Sequence, residues 1–247
     1  MNSYSLVTTS WDDGHPLDFK IADLLTKYNL GGTFYIPKYN AENQVMDEPM
    51  IVQLSKRFEI GGHTLNHLST NEVSLKIWTE EVNNCFTWLT KLTGAPPVSF
   101  CFPKGKNYPA AATSVFNAGF QMARTTELMS FNNPEDLKVI PTTLQVFDHN
   151  RWTYFKHLIK RRKFANLLFW IKNNSEKELD RLIDLYLAHV IANKGCLHIW
   201  GHSWEIEKYN LWNKMEKIFS RISGIDEVKY VPNKYLVMEK SINNNAN

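Results

Sequence analysis

The chain has 247 residues, a formal net charge of +3, 43% hydrophobic residues and 21% charged residues. This composition excludes a disordered chain, a collagen-like repeat and a small disulfide scaffold, and the length suffices for one α/β domain with a substantial core. The weakly positive charge also excludes the strongly basic profile of a nucleic-acid-binding protein. Aromatic residues make up 13% of the chain. They indicate dense strand packing or, alternatively, stacking surfaces for sugar rings.

Short apolar runs alternate with amphipathic helical patterns along the chain, which predicts a parallel α/β sheet or barrel. We find no internal repeat or linker, so we expect a single domain over residues 1–240 and a frayed, Asn-rich tail at 241–247. The predicted strands are 5–11, 33–36, 58–60, 98–102, 120–124, 138–140, 143–147, 196–200 and 227–231. The predicted helices are 16–28, 50–57, 72–92, 109–118, 151–173, 175–193 (with Ser175 as its N-cap) and 209–222.

The three cysteines, Cys85, Cys101 and Cys196, are widely spaced and include no CxxC pair. This pattern favours reduced thiols and so predicts a reducing compartment. The N-terminal residues lack the basic and long apolar regions of a signal peptide, and the apolar run at 165–171 is too short to span a bilayer. We therefore expect a cytoplasmic protein, although a processed chain that had lost its leader would have the same sequence.

Two adjacent acids, Asp12 and Asp13, lie at the predicted carboxyl end of the first strand, between Trp11 and Gly14. Neighbouring carboxylates repel and raise each other's pKa, so it is costly to leave both unpaired. The simplest explanation is a turn, because Asp-Asp-Gly suits turn geometry. Taken alone, this segment favours the turn over a functional site.

Two histidines, His63 and His67, follow another predicted strand at a spacing of four residues. Residues at i and i+4 share one helical face, so both imidazoles could reach one ion. An isolated HxxxH is more often a pair of surface or capping histidines. Together with the acidic pair at the end of another strand, however, the motif favours a metal site. Two histidines and one carboxylate would leave coordination positions open for water and substrate, as a hydrolytic metal centre requires.

A third group of candidates lies on the predicted strand at 196–200 and just after it. Strand alternation places His198, Trp200 and His202 on one face. His202 falls at the carboxyl end, where barrel enzymes carry catalytic groups, whereas His198 lies deeper and is expected to be a hydrogen-bonded core residue. Glu205 could orient His202 or, alternatively, begin a solvated helix.

In this order, these segments resemble the motifs of the polysaccharide deacetylase family, also called the NodB homology domain or carbohydrate esterase family 4. The first family motif, T/S-F-D-D, matches residues 10–13, and the second, H-S/T-x-x-H, matches residues 63–67. The third, R-x-P-x-G, corresponds to residues 101–105, and the late-strand motif of an apolar residue, any residue and histidine matches residues 200–202. The similarity covers nearly the whole chain.

The resemblance implies a distorted (β/α) barrel with fewer strands than the usual eight. It implies that Asp13, His63 and His67 hold a divalent ion, most often zinc. It also implies that Asp12 is the general base and His202 the general acid in the hydrolysis of an N-acetyl group.

The chain departs from the family pattern where Asp12 would be supported. The arginine that steadies the base in the third motif is Cys101 here, and a neutral thiol cannot supply that charge-assisted bond. Arg124, at the end of the next predicted strand, could replace it or, alternatively, form a surface ion pair. The fourth family motif has no clear match. Lys104, where an aromatic residue is common, and Tyr108 are candidates for the substrate rim; Lys104 could favour an anionic group or be merely solvated.

A basic and aromatic stretch at 155–172 matches none of the shared motifs. Its alternating cationic and aromatic residues could contact a membrane surface or an anionic carrier. The simpler explanation is an ordinary amphipathic helix with a solvated basic face and buried aromatic residues.

The sequence thus predicts a metal-dependent hydrolase that removes an N-acetyl group from an amino sugar, with an intracellular saccharide as its substrate and no nucleic-acid partner. Trp11, Trp200 and Trp204 are expected to surround the acyl group or the sugar ring. The alternatives are a hydrolase of a non-sugar C–N bond and a barrel that keeps an aromatic sugar-binding cleft without catalysis. Cys101 slightly favours the latter, whereas the retained acids and histidines count against it. The pattern leaves the oligomeric state open.

Overall fold

A computed structural model describes residues 4–134 and 136–238, so the predicted tail at 241–247 lies outside the described residues. Within these residues, eight strands form one sheet that curls into a half-barrel. They are β1 (Ser5–Asp12), β2 (Thr33–Ile36), β3 (Glu59–Gly62), β4 (Ser99–Cys101), β5 (Met122–Arg124), β6 (Leu144–Gln145), β7 (Cys196–Gly201) and β8 (Val228–Tyr230). The order is β5-β4-β3-β2-β1-β7-β6, and β8 pairs with β1 beside this path. Every pairing between these eight strands is parallel, which confirms the predicted α/β class. The expectation of fewer than eight strands is wrong, because the described residues already contain eight.

Helices follow most of the strands and pack against the sheet. They are α1 (Asp18–Lys27), α2 (Glu48–Ser55), α3 (Leu75–Thr93), α4 (Pro109–Ala118), α5 (Arg151–Lys160), α6 (Phe164–Lys172), α7 (Leu179–Asn193), α8 (Ser203–Lys208) and α9 (Trp212–Ile222), with a 3-10 turn at Pro103–Gly105. Helix α7 packs against β1 and β7, and α9 packs against α1 and α7. In the part of the chain that the structure describes, no helix combines the length and apolar character needed to cross a bilayer.

Strand β1 is the central strand, and all of its residues are buried. Strand β7 pairs with one edge of β1. The other edge of β1 pairs with β8 near the start of β1 and with β2 near its end. Alternate side chains point to opposite faces of the sheet. Trp11 packs edge-on against Phe219 of α9, whereas Ser10 hydrogen-bonds His198 inside the half-barrel at 2.8 Å. The same alternation directs Asp12 inward.

The segment between β5 and β7 is less regular than the sequence predicts. The predicted strand at 138–140 is wrong, because only Ile140 forms a bridge, to Arg124. Pro141 follows directly and has no N–H to continue a ladder. The predicted strand at 143–147 shortens to β6. Backbone hydrogen bonds nevertheless join Ala123 to Leu137 and Thr143 to His198, so this segment bridges the two strands.

Three helix predictions need correction. The predicted helix at 151–173 is two helices, α5 and α6, separated where Arg162 has a φ of 55°. Ser175 is not an N-cap: its φ is 50°, its N–H donates to the Trp170 carbonyl, and α7 begins only at Leu179. The predicted helix at 209–222 begins at Trp212, and the helix that was raised as an alternative from Glu205 is the short α8, which begins at Ser203 directly after β7.

Candidate metal centre and catalytic cleft

A cleft of about 300 Å³ opens where β1, β3 and β7 end. Its lining includes most of the predicted site residues: Asp12, Asp13, His63, His67, Lys104, Trp200, His202 and Trp204. It also includes residues that the sequence analysis did not single out: Glu42, Thr126, Leu128, Gln145, His149, Thr153 and His157. The carboxyl ends of parallel strands are where such folds place their ligand sites.

Asp13, His63 and His67 form a buried cluster at the bottom of this cleft. Asp13 Oδ1 lies 3.5 Å from His63 Nε2 and 3.0 Å from His67 Nε2. One candidate ligand atom from each residue lies within 4.8 Å of the other two. Although burial favours the neutral carboxyl, hydrogen bonds from the two histidines lower the pKa of Asp13 below its ordinary value. The cluster therefore presents a carboxylate and two imidazoles to a common point.

Two further contacts orient these side chains. His63 Nδ1 lies 2.8 Å from the Cys101 carbonyl oxygen, which can only accept, so Nδ1 carries a proton; in the neutral imidazole Nε2 is then the nitrogen that an ion would bind. Trp204 Nε1 donates to Asp13 Oδ2 at 2.9 Å, so Oδ1 is the oxygen left for a ligand. This donor set and its outer contacts fit a divalent ion such as zinc, with open positions for water and substrate.

The histidine pair does not lie on a helix, contrary to the helical face inferred from its spacing. Residues 63–67 form an irregular turn after β3, in which Thr64 has a φ of 58° and His67 a φ of 55°. Asp13 likewise has a φ of 75° after β1. These left-handed residues turn the backbone sharply, and the two imidazole rings end 5.0 Å apart between centroids.

Asp12 is held by a second, separate set of contacts. Its Oδ1 accepts a hydrogen bond from Arg124 Nη2 in a buried ion pair, and Cys101 Sγ lies 3.6 Å from Oδ2. Asp12, His63 and Cys101 also form a candidate ligand group. Burial, however, raises the pKa of the Cys101 thiol well above its ordinary value. The thiol therefore keeps its proton and donates to Asp12, which makes this group a poorer metal site than the first.

The register of the sheet explains how Arg124 reaches Asp12. Cys101 at the end of β4 pairs with Arg124 at the end of β5, so the two side chains lie on the same face, one strand apart. Arg124 is fully buried, so the alternative of a surface ion pair is wrong. Burial disfavours the charged guanidinium, but Asp12 raises the pKa of Arg124 above its ordinary value.

Aromatic rings hold the guanidinium in place. The Arg124 Cζ atom lies 5.2 Å from the centroid of the Tyr35 ring and 4.9 Å from that of Trp200. The Tyr35 hydroxyl in turn accepts a hydrogen bond from Asn233 Nδ2 at 2.8 Å. The Trp200 ring also meets His202 edge-on, with centroids 5.5 Å apart. Trp200 thus contacts both the arginine beside Asp12 and the histidine across the cleft.

His202 belongs to a chain of polar side chains along one wall of the cleft. Glu205, in the first turn of α8, accepts from His202 Nδ1 at 3.1 Å and from Gln145 Nε2 at 2.9 Å through the same oxygen, Oε2. Gln145 Oε1 in turn lies 3.0 Å from His149 Nε2. Burial alone would lower the pKa of His202, but Glu205 and the two aspartates of β1 and its turn raise it to about 9. The imidazole is therefore protonated at neutral pH.

The other substrate-rim predictions fare differently. The prediction that Trp11 contacts the substrate is wrong. Side chains alternate along β1, and the Trp11 ring lies on the helix side of the sheet, where it is fully buried. Tyr108 is exposed just before α4 and does not line the cleft. Lys104 does line it, but Lys104 Nζ is paired with Glu42 at 3.0 Å and with Glu72 at 2.8 Å. Its charge is therefore already balanced.

The wall opposite the metal cluster was missed in the sequence analysis. Thr153 and His157 lie one turn apart on α5, and this spacing was the available signal. A second missed feature is Asp18 of α1, which is fully buried and accepts from the hydroxyl of Ser203 at 2.5 Å. Burial raises the pKa of Asp18 well above its ordinary value. This bond ties α1 to the start of α8, directly after His202.

Comparisons with known proteins agree with this architecture. The sequence model described as polysaccharide deacetylase matches residues 2–123, which include Asp12, Asp13, His63 and His67. No curated protein matches the chain in sequence. A candidate polysaccharide deacetylase from Mycobacterium smegmatis aligns over 98% of this chain and 92% of its own, with 12% identity and a TM-score of 0.67.

Two further solved structures resemble the chain. A family 4 acetyl xylan esterase from Clostridium thermocellum, solved in complex with a cobalt ion, aligns over 96% of this chain and 92% of its own, with 16% identity and a TM-score of 0.52. The Streptococcus pyogenes deacetylase PplD, solved in complex with acetate, aligns over 54% of this chain and 62% of its own, with 17% identity and a TM-score of 0.48. The structure has the predicted NodB-type fold, and residues 2–123 of the chain match the polysaccharide deacetylase family.

Proposed function

We propose that this protein is a metal-dependent hydrolase that removes the N-acetyl group from an amino-sugar substrate. The observation that carries the proposal is the convergence of Asp13, His63 and His67 in a cleft that Asp12 and His202 also line. The match of residues 2–123 to the polysaccharide deacetylase family supports the same reaction class. We propose an intracellular saccharide as the substrate class, as the sequence analysis expects.

Asp13, His63 and His67 would hold the ion, for which zinc is the first candidate given two imidazoles and one carboxylate. Bound there, a divalent ion supplies Lewis acidity, which makes water nucleophilic near neutral pH and polarises an acyl carbonyl. The chain itself fixes the ligand orientation: the Cys101 carbonyl holds His63, and Trp204 holds Asp13.

Asp12 is our candidate general base. Arg124 and Cys101 hold its carboxylate beside the ligand cluster without making it a ligand, so it can accept the proton of the attacking water. His202 is our candidate general acid, because it lines the same cleft and is protonated at neutral pH. It would donate its proton to the departing amine nitrogen as the C–N bond breaks, which gives acetate and a free amine.

Glu205→Gln is expected to shift the alkaline limb of the kcat/KM profile to lower pH. Glu205 helps to raise the pKa of His202, and a neutral amide removes that charge, so the acid is deprotonated at a lower pH. The pH dependence of acetate release in the variant and the unaltered protein measures this shift. Glu207→Gln, which removes an exposed carboxylate of the same helix, is the matched control. An alkaline limb that Glu205→Gln leaves in place would contradict the role assigned to Glu205.

The proposed function is tested by assaying acetate release from N-acetylated monosaccharides, oligosaccharides and nucleotide sugars. We expect about one divalent ion per chain and release of acetate from at least one class; His63→Ala should lose both the ion and the activity. Ammonia or carbamate without acetate would instead identify a hydrolase of another C–N bond. A purified protein that binds no ion in metal-replete buffer and binds sugar without turnover would contradict the enzyme and favour a binding barrel.

A further inference from the structure

The helical pair α5–α6, residues 151–172, carries an unusual combination of charge and exposed apolar surface. It contains seven Lys and Arg residues and no Asp or Glu, whereas the remainder of the chain has more acidic than basic residues. Among the described residues, Lys163 alone of these seven has a carboxylate partner, Glu127. The other basic side chains of the pair add an unbalanced positive charge to this part of the surface.

The outward face of α6 is apolar. Phe164, Leu168 and Ile171 recur at i, i+4 and i+7 and are 59%, 58% and 49% exposed. The opposite face of the helix buries Leu167 and Trp170 in the main core. Surface helices normally place polar residues outward, and a helix that is apolar on both sides is expected where both sides are covered. The outward face of α6 therefore lacks a covering partner within the described chain.

The outward face of α5 combines apolar and cationic side chains. Trp152, Lys156, Ile159 and Lys160 recur at helical spacing and are all exposed. The Trp152 ring stacks on Phe155, and Lys156 Nζ lies 5.7 Å from the Trp152 ring centroid. Large aromatic and aliphatic side chains interspersed with lysines are characteristic of helices that lie in a bilayer interface.

We propose that α5 and α6 dock the protein on an anionic phospholipid surface. The exposed apolar side chains would enter the interfacial region, and the basic side chains would meet the negative headgroups. The positive charge itself selects this occupant over a second copy of the chain, because two copies would bring the same unbalanced charge together. With nine residues, or about 13 Å of helix, α6 would lie in the interface rather than span it.

Helix α5 contributes both to the proposed docking surface and to the cleft, so docking would fix where the cleft lies relative to the membrane. Thr153 and His157 of α5 line the cleft, while Trp152 and Lys156 of the same helix face outward. Binding through α5 and α6 would therefore bring the cleft close to saccharides displayed at the membrane surface. The proposal concerns an interaction surface and does not depend on the chemistry proposed above.

Co-sedimentation with lipid vesicles tests the proposal without any substrate. We expect the full chain to bind vesicles of equal parts phosphatidylcholine and phosphatidylglycerol, to bind pure phosphatidylcholine far more weakly, and to be released by high salt. The variant Lys156→Glu/Lys160→Glu should bind at least about tenfold more weakly, and Phe164→Gln/Leu168→Gln/Ile171→Gln should lose most binding. All five positions are exposed, and thermal unfolding would verify that each variant is folded.

Matched controls lie on α3, where Leu75, Lys76 and Ile77 are also exposed. Leu75→Gln/Ile77→Gln and Lys76→Glu should bind vesicles like the unaltered protein. The proposal is overturned if the unaltered chain does not bind anionic vesicles at low salt, or if the α6 variant binds as well as the unaltered chain. It is also overturned if the protein is a dimer in solution that the α6 substitutions dissociate, since a second copy would then cover this face.

Discussion

Asp12→Asn is expected to lower kcat for acetate release by about 10²–10⁴-fold while the divalent ion stays bound. Asp12 lines the cleft, but its two oxygens contact Arg124 and Cys101 rather than the histidines of the ligand cluster. Asparagine keeps the shape and still accepts a hydrogen bond from the guanidinium, but it cannot take up a proton from water. Steady-state acetate release and metal content per chain together measure this effect.

Asp13→Asn is the matched control, because it makes the same replacement of a carboxylate by an amide at the adjacent residue. This variant should lose most of its bound ion, since Asp13 Oδ1 is the oxygen that faces both histidines. The two variants therefore separate proton transfer from ion binding. Asp12→Asn with undiminished kcat, or with its ion lost, would contradict the role proposed for Asp12.

Arg124→Met is expected to destabilise the fold by about 3–5 kcal/mol, because it leaves a carboxylate buried without its cation. The Arg124 and Asp12 side chains are almost completely buried, so water cannot replace the lost partner. The rate of acetate release should fall as well, because without Arg124 the proposed base, Asp12, would become protonated or lose its position. Urea unfolding measures the loss of stability, and acetate release measures the loss of activity.

Two further variants sharpen this prediction. Asp12→Asn/Arg124→Met should be more stable than Arg124→Met alone, since it removes the unpaired charge. Cys101→Arg/Arg124→Ala moves the cation one strand across, to the position that the family's third motif uses, and should recover part of the activity. If Arg124→Met unfolds at the same urea concentration as the unaltered protein, the ion pair does not support the fold in the way we describe.

The residues at strand ends were the most predictable part of the site. Asp12, Asp13, His63 and His67 could be predicted because their spacing matches two specific motifs, and the chain needs only parallel strands to bring them together. Arg124 could be suggested because it ends the next strand, but its pairing with Asp12 depends on the register of β4 and β5. A sequence pattern does not specify that register.

Other features depended on tertiary structure. Period-two alternation from Asp12 would have placed Trp11 on the opposite face, so its misassignment came from proximity in sequence rather than from missing information. The chain from Glu205 through Gln145 to His149 joins two segments 60 residues apart, which no local pattern connects. The break between α5 and α6 occurs at Arg162, a residue whose left-handed conformation has no strong sequence signal.

The left-handed conformations of Asp13, Thr64 and His67 place a stability cost on the proposed ion site. A non-glycine residue with positive φ costs on the order of 1 kcal/mol relative to glycine, and a domain is stable by only roughly 5–15 kcal/mol. Mutation to glycine at positions 13 or 67 would relieve that cost but remove a candidate ligand. Stability and the proposed ion binding therefore favour different residues at these two positions.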